Sequence, residues 1–354
     1  MTIIQIASSF AGGGAPQMIL RLAKLSQSEI KTIVISISSI NTLEPKFIEA
    51  GIEYHFLGIN SFRNNTIVSG LKKFHHIVKE YPDAILHCHQ HHSAFLAILY
   101  RIFYFKKIPF AFTLHTNKVD SIVRRVFLFL TKPFRKADII FSESGRKWYL
   151  NNTDIIANGV DFSDFHPNLN RGYDTSDTFS FLYLGRLSHE KNPFGMLEYA
   201  KELLAYGQDN FVIDFVGDGG LRKELEERIS SENLGKYIKV HGFQDNVQQI
   251  INDAHCMVIP SYREGLPVVM VEAAASLLPI ISTPVGSIPD FLNETNGYLA
   301  SHIEFGNAMK MVMTNYPEAL KRAKKLDEDA KNIFDIRNVY KKHLALYKSL
   351  SQSK

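Results

Sequence analysis

The strongest constraint in this 354-residue sequence is an alternation that runs through it twice. Short runs rich in β-branched and aromatic residues take turns with segments whose apolar residues recur at helical spacing, the order of βαβ units on a parallel sheet. In the first series strands are expected at Ile3 to Ala7, Lys31 to Ile37, Ile52 to Phe56, Ala84 to Cys88, Phe110 to His115 and Ile139 to Ser142. In the second they fall at Phe179 to Leu184, Phe211 to Val216, Ile238 to His241, Cys256 to Ile259 and Ile280 to Ser282, with helices over Pro193 to Tyr206, Leu221 to Ser230 and Val247 to Asn252. Between the series, from Asn158 to Asp177, Asn, Asp, Gly and Pro167 cluster without a period and read as a linker. The length exceeds one ordinary core. The economical architecture is two doubly wound α/β domains facing a cleft, over 1–165 and 166–335, with a last helix in 336–354 packing back on the first domain.

Composition narrows the class. Apolar residues at 45% and charged residues at 21% suit a soluble globular protein. The longest apolar run, Ser93 to Tyr100, stops at Arg101, far short of a bilayer span. The start goes straight into a strand-like run with no basic region or cleavage site, so no leader is expected. Cys88 and Cys256 are the only cysteines, which supports no disulfide framework and suits a reducing cytoplasm. The net charge of +4 is uneven: +7 over residues 1–165 and −3 over the remainder.

Several stretches carry chemistry. In Arg263-Glu264-Gly265-Leu266-Pro267-Val268-Val269-Met270-Val271-Glu272, Gly265 and Pro267 read as a tight turn into a helix, with Pro267 near the first helical position. Free N–H groups of Val268 and Val269 would then face a phosphate, with Glu264 in the loop before them and Glu272 more than a turn inside. The plainer reading is a buried Ala-rich helix whose acids cap or pair. Gly185-Arg186-Leu187-Ser188-His189-Glu190-Lys191 follows the first strand of the second series. There a forked guanidinium and a compact ammonium can grip a diphosphate together. Gly217-Asp218-Gly219-Gly220 and His241-Gly242-Phe243 turn after the next two strands, and the three loops in register look like the walls of a nucleotide pocket. Gly12-Gly13-Gly14 follows the first strand of the chain and would bring bare N–H groups to the cleft.

Histidines gather at His87-Cys88-His89-Gln90-His91-His92. On a strand His87, His89 and His91 share a face, but no carboxylate or cysteine spacing completes a metal set, and a strand-end polar cluster is the commoner use. His115 ends a predicted strand at the edge where ligands collect; it serves the cleft or is a satisfied core histidine. Residues 99–136 interleave nine Lys and Arg with aromatic residues, opposed only by Asp120. That mixture suits an anionic membrane surface or a solvated helix face with a buried aromatic side. No nucleic-acid module is present.

As an ordered set, Gly185-Arg186 with Lys191, Gly217-Asp218-Gly219, His241-Gly242-Phe243, Pro260-Ser261 before Glu264-Gly265-Leu266-Pro267, Glu272-Ala273 and Pro284-Val285-Gly286 resemble the retaining glycosyltransferases of family 4, which have the GT-B fold. Asn158-Gly159-Val160-Asp161 matches that family's hinge entry and Gly13-Gly14 its N-terminal glycine loop. The resemblance implies a nucleoside-diphosphate sugar held mostly by the C-terminal domain and a glycan or lipid-linked acceptor held mostly by the N-terminal one. Glu264 would contact the donor-sugar hydroxyls, Glu272 the ribose, and Arg186 and Lys191 the diphosphate. Amides from Gly265 through Leu266, Pro267 and Val268 would border the phosphate site, the turns at Gly217 and Gly242 would let the ligand approach, and backbone near Phe243 would meet the base. His115 would stand near the transferred sugar. With Glu264, Arg186 and Lys191 it makes up the expected catalytic set. No metal and no cofactor beyond the donor are implied, and the setting is bacterial surface polysaccharide synthesis, in the cytoplasm or at the inner face of the cell membrane. The sequence departs from the family pattern at Pro16, at Leu277, where a glycine often stands, and at Gly286-Ser287-Ile288-Pro289-Asp290. A non-catalytic sugar-nucleotide-binding partner, or a GT-B epimerase or phosphorylase, is the alternative.

Overall fold

The computed structural model describes residues 1–11, 14–116, 119–151, 153–169, 171–174 and 176–352. The chain divides into two compact units, Met1–Gly159 with Ile336–Lys354, and Val160–Asp335. The break at Gly159/Val160 lies at the start of the expected linker, six residues before the expected boundary at 165.

The first unit holds a parallel sheet of β1 (Thr2–Ala7), β2 (Lys31–Ser36), β3 (Glu53–Phe56), β4 (Ile85–His89), β5 (Phe110–Thr113), β6 (Ala137–Ile140) and β7 (Thr153–Ile155), in the order β3-β2-β1-β4-β5-β6-β7. β1 and β4 are buried throughout, as central strands covered on both faces should be, and β4 carries His87 and His89 into that interior. Crossovers are made by α1 (Gly14–Ser26), α2 (Glu44–Glu49), α3 (Thr66–Glu80), α4 (Gln90–Tyr104) and α5 (Ile122–Leu130).

Three local readings need correction. β4 ends at His89 and Gln90, at φ 69°, turns the chain into α4, so His91 opens a helix and does not share a strand face with His87 and His89. β5 stops at Thr113, leaving His115 two residues beyond it. β6 begins at Ala137, ahead of the expected Ile139, because it carries the fully buried Asp138, which binds Arg135 through two contacts of 2.7 and 2.9 Å. A charged residue inside a strand breaks the apolar pattern unless its partner is known.

The second unit stacks β8 (Phe179–Leu184), β9 (Phe211–Val216), β10 (Ile238–Gly242), β11 (Cys256–Ile259), β12 (Ile280–Ser282) and β13 (Tyr298–Leu299) in the parallel order β10-β9-β8-β11-β12-β13. Its helices are α6 (Gly195–Ala205), α7 (Arg222–Ser231), α8 (Val247–Asp253), α9 (Val268–Ala275), α10 (Phe305–Thr314) and α11 (Tyr316–Phe334). The α9 helix ends in a Schellman motif: Leu277 N–H donates to Ala274 O and Leu278 N–H to Ala273 O. Leu277 therefore sits at φ 53°, in the left-handed region that this cap demands, which explains why glycine suits the position. The last helix, α12 (Ile336–Gln352), belongs to the first unit. Ile336, Val339, Tyr340, Tyr347 and Leu350 recur at helical spacing and pack with Ile3, Met18, Ile85 and Ile139.

Candidate active site

In the second unit the strand order reverses between β8 and β11. Open α/β sheets bind ligands outside the carboxyl ends of the strands at such a point. The two loops that leave it carry Arg186 and Lys191, after β8, and Ser261, Glu264 and Gly265, after β11. Lys191 Nζ lies 2.7 and 2.6 Å from the two carboxylate oxygens of Glu264, and Ser261 Oγ donates to one of them at 2.7 Å. The Glu264 side chain is 5% exposed and that of Lys191 31%. Arg186 is exposed, and its guanidinium makes no ion pair among the described residues.

Backbone contacts hold this arrangement. Gly185 N–H donates to Val216 O and Leu187 N–H to Asp218 O, both at 3.0 Å, while Tyr262 N–H donates to Glu190 O at 2.8 Å and ties the β8 loop to the β11 loop. The hydroxyl of buried Tyr183 lies 3.2 Å from Arg186 O and 3.3 Å from Lys191 O. Burial, then the charge on Glu264, pushes this hydroxyl far above the ordinary tyrosine range, so it acts as a neutral donor. Two glycines are obligatory. Gly217, at φ 135°, passes so close to the Gly185 carbonyl that a Cβ would overlap its oxygen. Gly286, at φ 62°, would drive a Cβ into the Glu264 carbonyl oxygen, and beside it Ser287 N–H donates to Gly265 O at 2.9 Å.

Pro267 is the N-cap of α9, with φ −70° and ψ 119°, one position before the first helical residue. Leu266 and Pro267 are buried. Met270 N–H donates back to Pro267 O at 3.1 Å, whereas the N–H groups of Val268 and Val269 have no partner among the described residues. They are free donors at a helix N-terminus beside Gly265, a geometry that suits an anion. Glu272 lies in the second turn, half-buried. Gly242, at φ 73°, closes β10, and the Phe243 ring after it is 72% exposed, a face open to stacking.

His115 lies in the first unit. Its Nε2 is 2.8 Å from His89 Nδ1, and His89 Nε2 is 2.7 Å from Gln5 Oε1. Gln5 Nε2 donates to Tyr347 Oη at 3.1 Å, and that hydroxyl is 2.7 Å from His87 Nδ1, whose Nε2 is 2.6 Å from Thr113 Oγ1. Hydrogen bonds thus engage all four ring nitrogens of His87 and His89. Burial holds His87 and His89 well below the ordinary histidine range, with neighbouring histidines adding to the effect, and lowers His115 to about 4.

The structure therefore brings Arg186, Lys191, Gly217, Gly242, Phe243, Glu264, Gly265 and the start of α9 to one sheet edge, and Gly14 to the start of α1. Gly13 lies outside the described residues. Sequence reasoning assigned no role to Ser261, Tyr183, Gln5 or Tyr347. Ser261 is signalled by its spacing of three from Glu264; the others depend on strand order and on where α12 docks.

Residues 172–332, most of the second unit, match the family model described as glycosyl transferases group 1. Among curated relatives, the UDP-Gal:alpha-D-GlcNAc-diphosphoundecaprenol alpha-1,3-galactosyltransferase of Escherichia coli is 32% identical over 41% of this chain and 40% of its own length. The capsular polysaccharide biosynthesis glycosyltransferase CapH of Staphylococcus aureus is 24% identical over 94% of this chain and 95% of its own length. This chain thus spans less than half the length of that galactosyltransferase and, at 46%, of an alpha-1,4-N-acetyl-D-galactosaminyltransferase of Campylobacter jejuni. The crystal structure of Anabaena HepE in complex with UDP-glucose has a TM-score of 0.83 at 18% identity, covering 99% of this chain and 100% of that one. The fold is GT-B, built from two Rossmann-like parallel-sheet units.

Proposed function

We propose that this chain moves a sugar from a nucleoside-diphosphate donor to a hydroxyl of a glycan or lipid-linked acceptor, with retention of anomeric configuration and without a bound metal ion. The observation that carries the reading is the Lys191–Glu264–Ser261 cluster at the reversal point of the second sheet, beside the unpartnered amides of Val268 and Val269. Cation, carboxylate and amides at one edge match a ligand that is anionic at one end and polyhydroxylated at the other. Arg186, Lys191 and the amides take the diphosphate, Glu264 the sugar hydroxyls and Glu272 the ribose. Phe243 offers a stacking face beside the base, and the turns at Gly217 and Gly242 admit the ligand. His115 serves a substrate hydroxyl from the first unit. Relatives named for capsular polysaccharide biosynthesis and for transfer to undecaprenol-diphosphate-linked sugars support the setting.

In this mechanism the acceptor hydroxyl attacks the anomeric carbon on the face from which the diphosphate departs. The new C–O bond forms as the C–O bond to phosphate breaks, and the acceptor's proton passes to a diphosphate oxygen. Glu264 and Glu272 are not a glycosidase-type carboxylate pair: Glu264 is neutralised by Lys191, which suits a binding carboxylate better than a nucleophile. Positive charge at Arg186, Lys191 and a helix end supplies leaving-group stabilisation.

We further propose that the first unit rests on an anionic membrane surface, where lipid-linked acceptors reside. Among the described residues no helix is long and apolar enough to cross a membrane. On α5, Ile122, Val123, Val126, Phe129 and Leu130 are exposed and only Leu128 is buried, the reverse of a helix that hides its apolar side. Phe103 and Phe105 at the end of α4 and Trp148, whose ring lies 5.4 Å from Phe129, add exposed rings, with Arg101 over Phe134 and Lys132 over Phe129. Apolar residues rimmed by cations are the composition of an in-plane membrane helix.

The test is incubation with labelled nucleoside-diphosphate sugars, uridine first, and lipid-linked saccharide acceptors in the presence of EDTA. Transfer with the donor's anomeric configuration kept in the product is expected. Inverted product, or transfer that needs a divalent ion, overturns the respective part of the proposal.

A further inference from the structure

We infer that Tyr347 on α12 and Gln5 on β1, acting through His89, lock His115 in one tautomer, so that its open Nδ1 edge is a hydrogen-bond acceptor for a substrate hydroxyl. The assignment of that hydroxyl to substrate rests on the proposed sugar transfer; the tautomer does not.

The argument starts from neutrality. His87, His89, His115 and His343 crowd together, with ring centroids 4.1 Å apart for His87 and His89, 5.1 Å for His89 and His115, and 5.4 Å for His87 and His343. Among the described residues none of their hydrogen bonds goes to a carboxylate. Burial disfavours the charged form of each. A neutral imidazole has one N–H donor and one lone-pair acceptor, so one assigned contact in such a chain determines the next.

The hydroxyl of Tyr347 provides the first assignment. Its 3.1 Å contact to the Gln5 amide has the length of an N–H donor, and its 2.7 Å contact to His87 Nδ1 that of an O–H donor. Tyr347 therefore accepts from Gln5, and that contact alone orients the amide. With the amide nitrogen of Gln5 directed to Tyr347, its oxygen faces His89 Nε2 at 2.7 Å, and that nitrogen must carry the proton. His89 Nδ1 is then bare and accepts from His115 Nε2–H at 2.8 Å. The remaining nitrogen of His115, Nδ1, holds a lone pair and makes no hydrogen bond among the described residues. Reversing the chain requires turning the Gln5 amide over. That would stretch an O–H···O contact at Tyr347 to 3.1 Å, beyond the ordinary length.

A neutral acceptor nitrogen has a defined chemical preference. It takes a hydrogen bond from an O–H group and gives nothing to a carboxylate or phosphate oxygen, so it favours a neutral hexose over a uronic acid at that point. Gln5 and Tyr347, 342 residues apart in sequence, are positioning residues in this scheme, because they act on substrate only through His89 and His115.

Histidine-labelled full-length protein, observed by long-range proton–nitrogen correlation, reads the tautomer directly. The expected wild-type spectrum has a bare Nδ1 and a protonated Nε2 at His115. Tyr347→Phe keeps the packing but removes the group that orients Gln5, and should move the His115 Nδ1 resonance toward the protonated position as the two tautomers mix. A protonated Nδ1 in the wild type, or an unchanged His115 signal in folded Tyr347→Phe, overturns the inference. If Tyr347→Phe does not fold, the wild-type spectrum decides alone. Nucleoside-diphosphate binding measured on the same sample separates the two readings. Binding with the wrong tautomer sinks only this inference, and the expected tautomer without binding sinks only the proposed transferase.

Discussion

Glu264→Gln is predicted to separate the free nucleoside diphosphate from its sugar form. In the unliganded site the Glu264 carboxylate receives both Lys191 Nζ and Ser261 Oγ, so the ammonium is already occupied when a diphosphate arrives. Hydrogen bonds to charged groups contribute about 1.5–3 kcal/mol and neutral ones about 0.5–1.5. Lys191 is partly solvated, so replacing the carboxylate by an amide should cost the free protein about 1–3 kcal/mol. For a unit of this size that is a fall in melting midpoint of roughly 2–12 °C. The released ammonium then meets phosphate without displacing Glu264. Binding of the free diphosphate should be unchanged or up to about tenfold tighter, equivalent to ~1.4 kcal/mol. The sugar form loses its contact to a charged acceptor, and kcat/KM should fall by about 10- to 150-fold. Calorimetric titration of both ligands into wild type and variant, with turnover measured in parallel, provides the comparison. Equal weakening of both ligands would refute the division of the site into a phosphate end and a sugar end.

The remaining predictions address other parts of the molecule. Glu272→Gln should weaken the free diphosphate and its sugar form alike, by about 1–2 kcal/mol if one charged hydrogen bond to ribose is lost; a loss confined to the sugar form in a titration contradicts that role. Val123→Asp with Leu130→Asp, both exposed, should abolish flotation with anionic vesicles while leaving the melting curve within about 0.5 kcal/mol per site; retained flotation would dismiss the α5 surface. Acid should weaken the first unit before ordinary carboxylates titrate. The folded-state values of His115, about 4, and His343, about 3, lie below the unfolded value of about 6.5. The unfolded chain therefore binds more protons between those limits, and stability, complete above pH 6.5, declines as pH falls toward 4. Each such histidine contributes about 1.4 kcal/mol per pH unit, and melts between pH 7 and 5 that stay flat would contradict the buried neutral network.

Legibility in the sequence followed from range. Continuous apolar strands such as β1, β8 and β11 announce themselves because burial on both faces leaves no alternation to misread. The half-buried flanks of β7 around exposed Asp154, and the two residues of β13, do not. Asp138 concealed the start of β6 because its charge is tolerated only through Arg135. The turn loops at Gly185, Gly217, Gly242 and Gly265 were visible as loops, and their meeting at one edge follows from parallel pairing. That Lys191 would hold Glu264, 73 residues away, was not visible, since it depends on β8 lying next to β11. The outward apolar face of α5 was also hidden: its composition was plain, but periodicity alone does not tell which side meets solvent. The contact between Gln5 and Tyr347 joins the two ends of the chain and has no local signal at all.

The central claim is that the second unit is a site for a nucleoside diphosphate and its sugar, held by side chains and amides without a metal. Thermal denaturation in EDTA with uridine, guanosine, adenosine and cytidine diphosphates and their sugars tests it most directly. A true ligand at a hundred times its dissociation constant stabilises by about 2.7 kcal/mol, which is a rise of roughly 5–11 °C at 2–4 °C per kcal/mol. The account predicts that rise for one base, with free diphosphate and sugar form both effective, and its loss in Arg186→Ala with Lys191→Ala. A panel in which no nucleotide moves the melt, or in which the double variant responds like wild type, contradicts it.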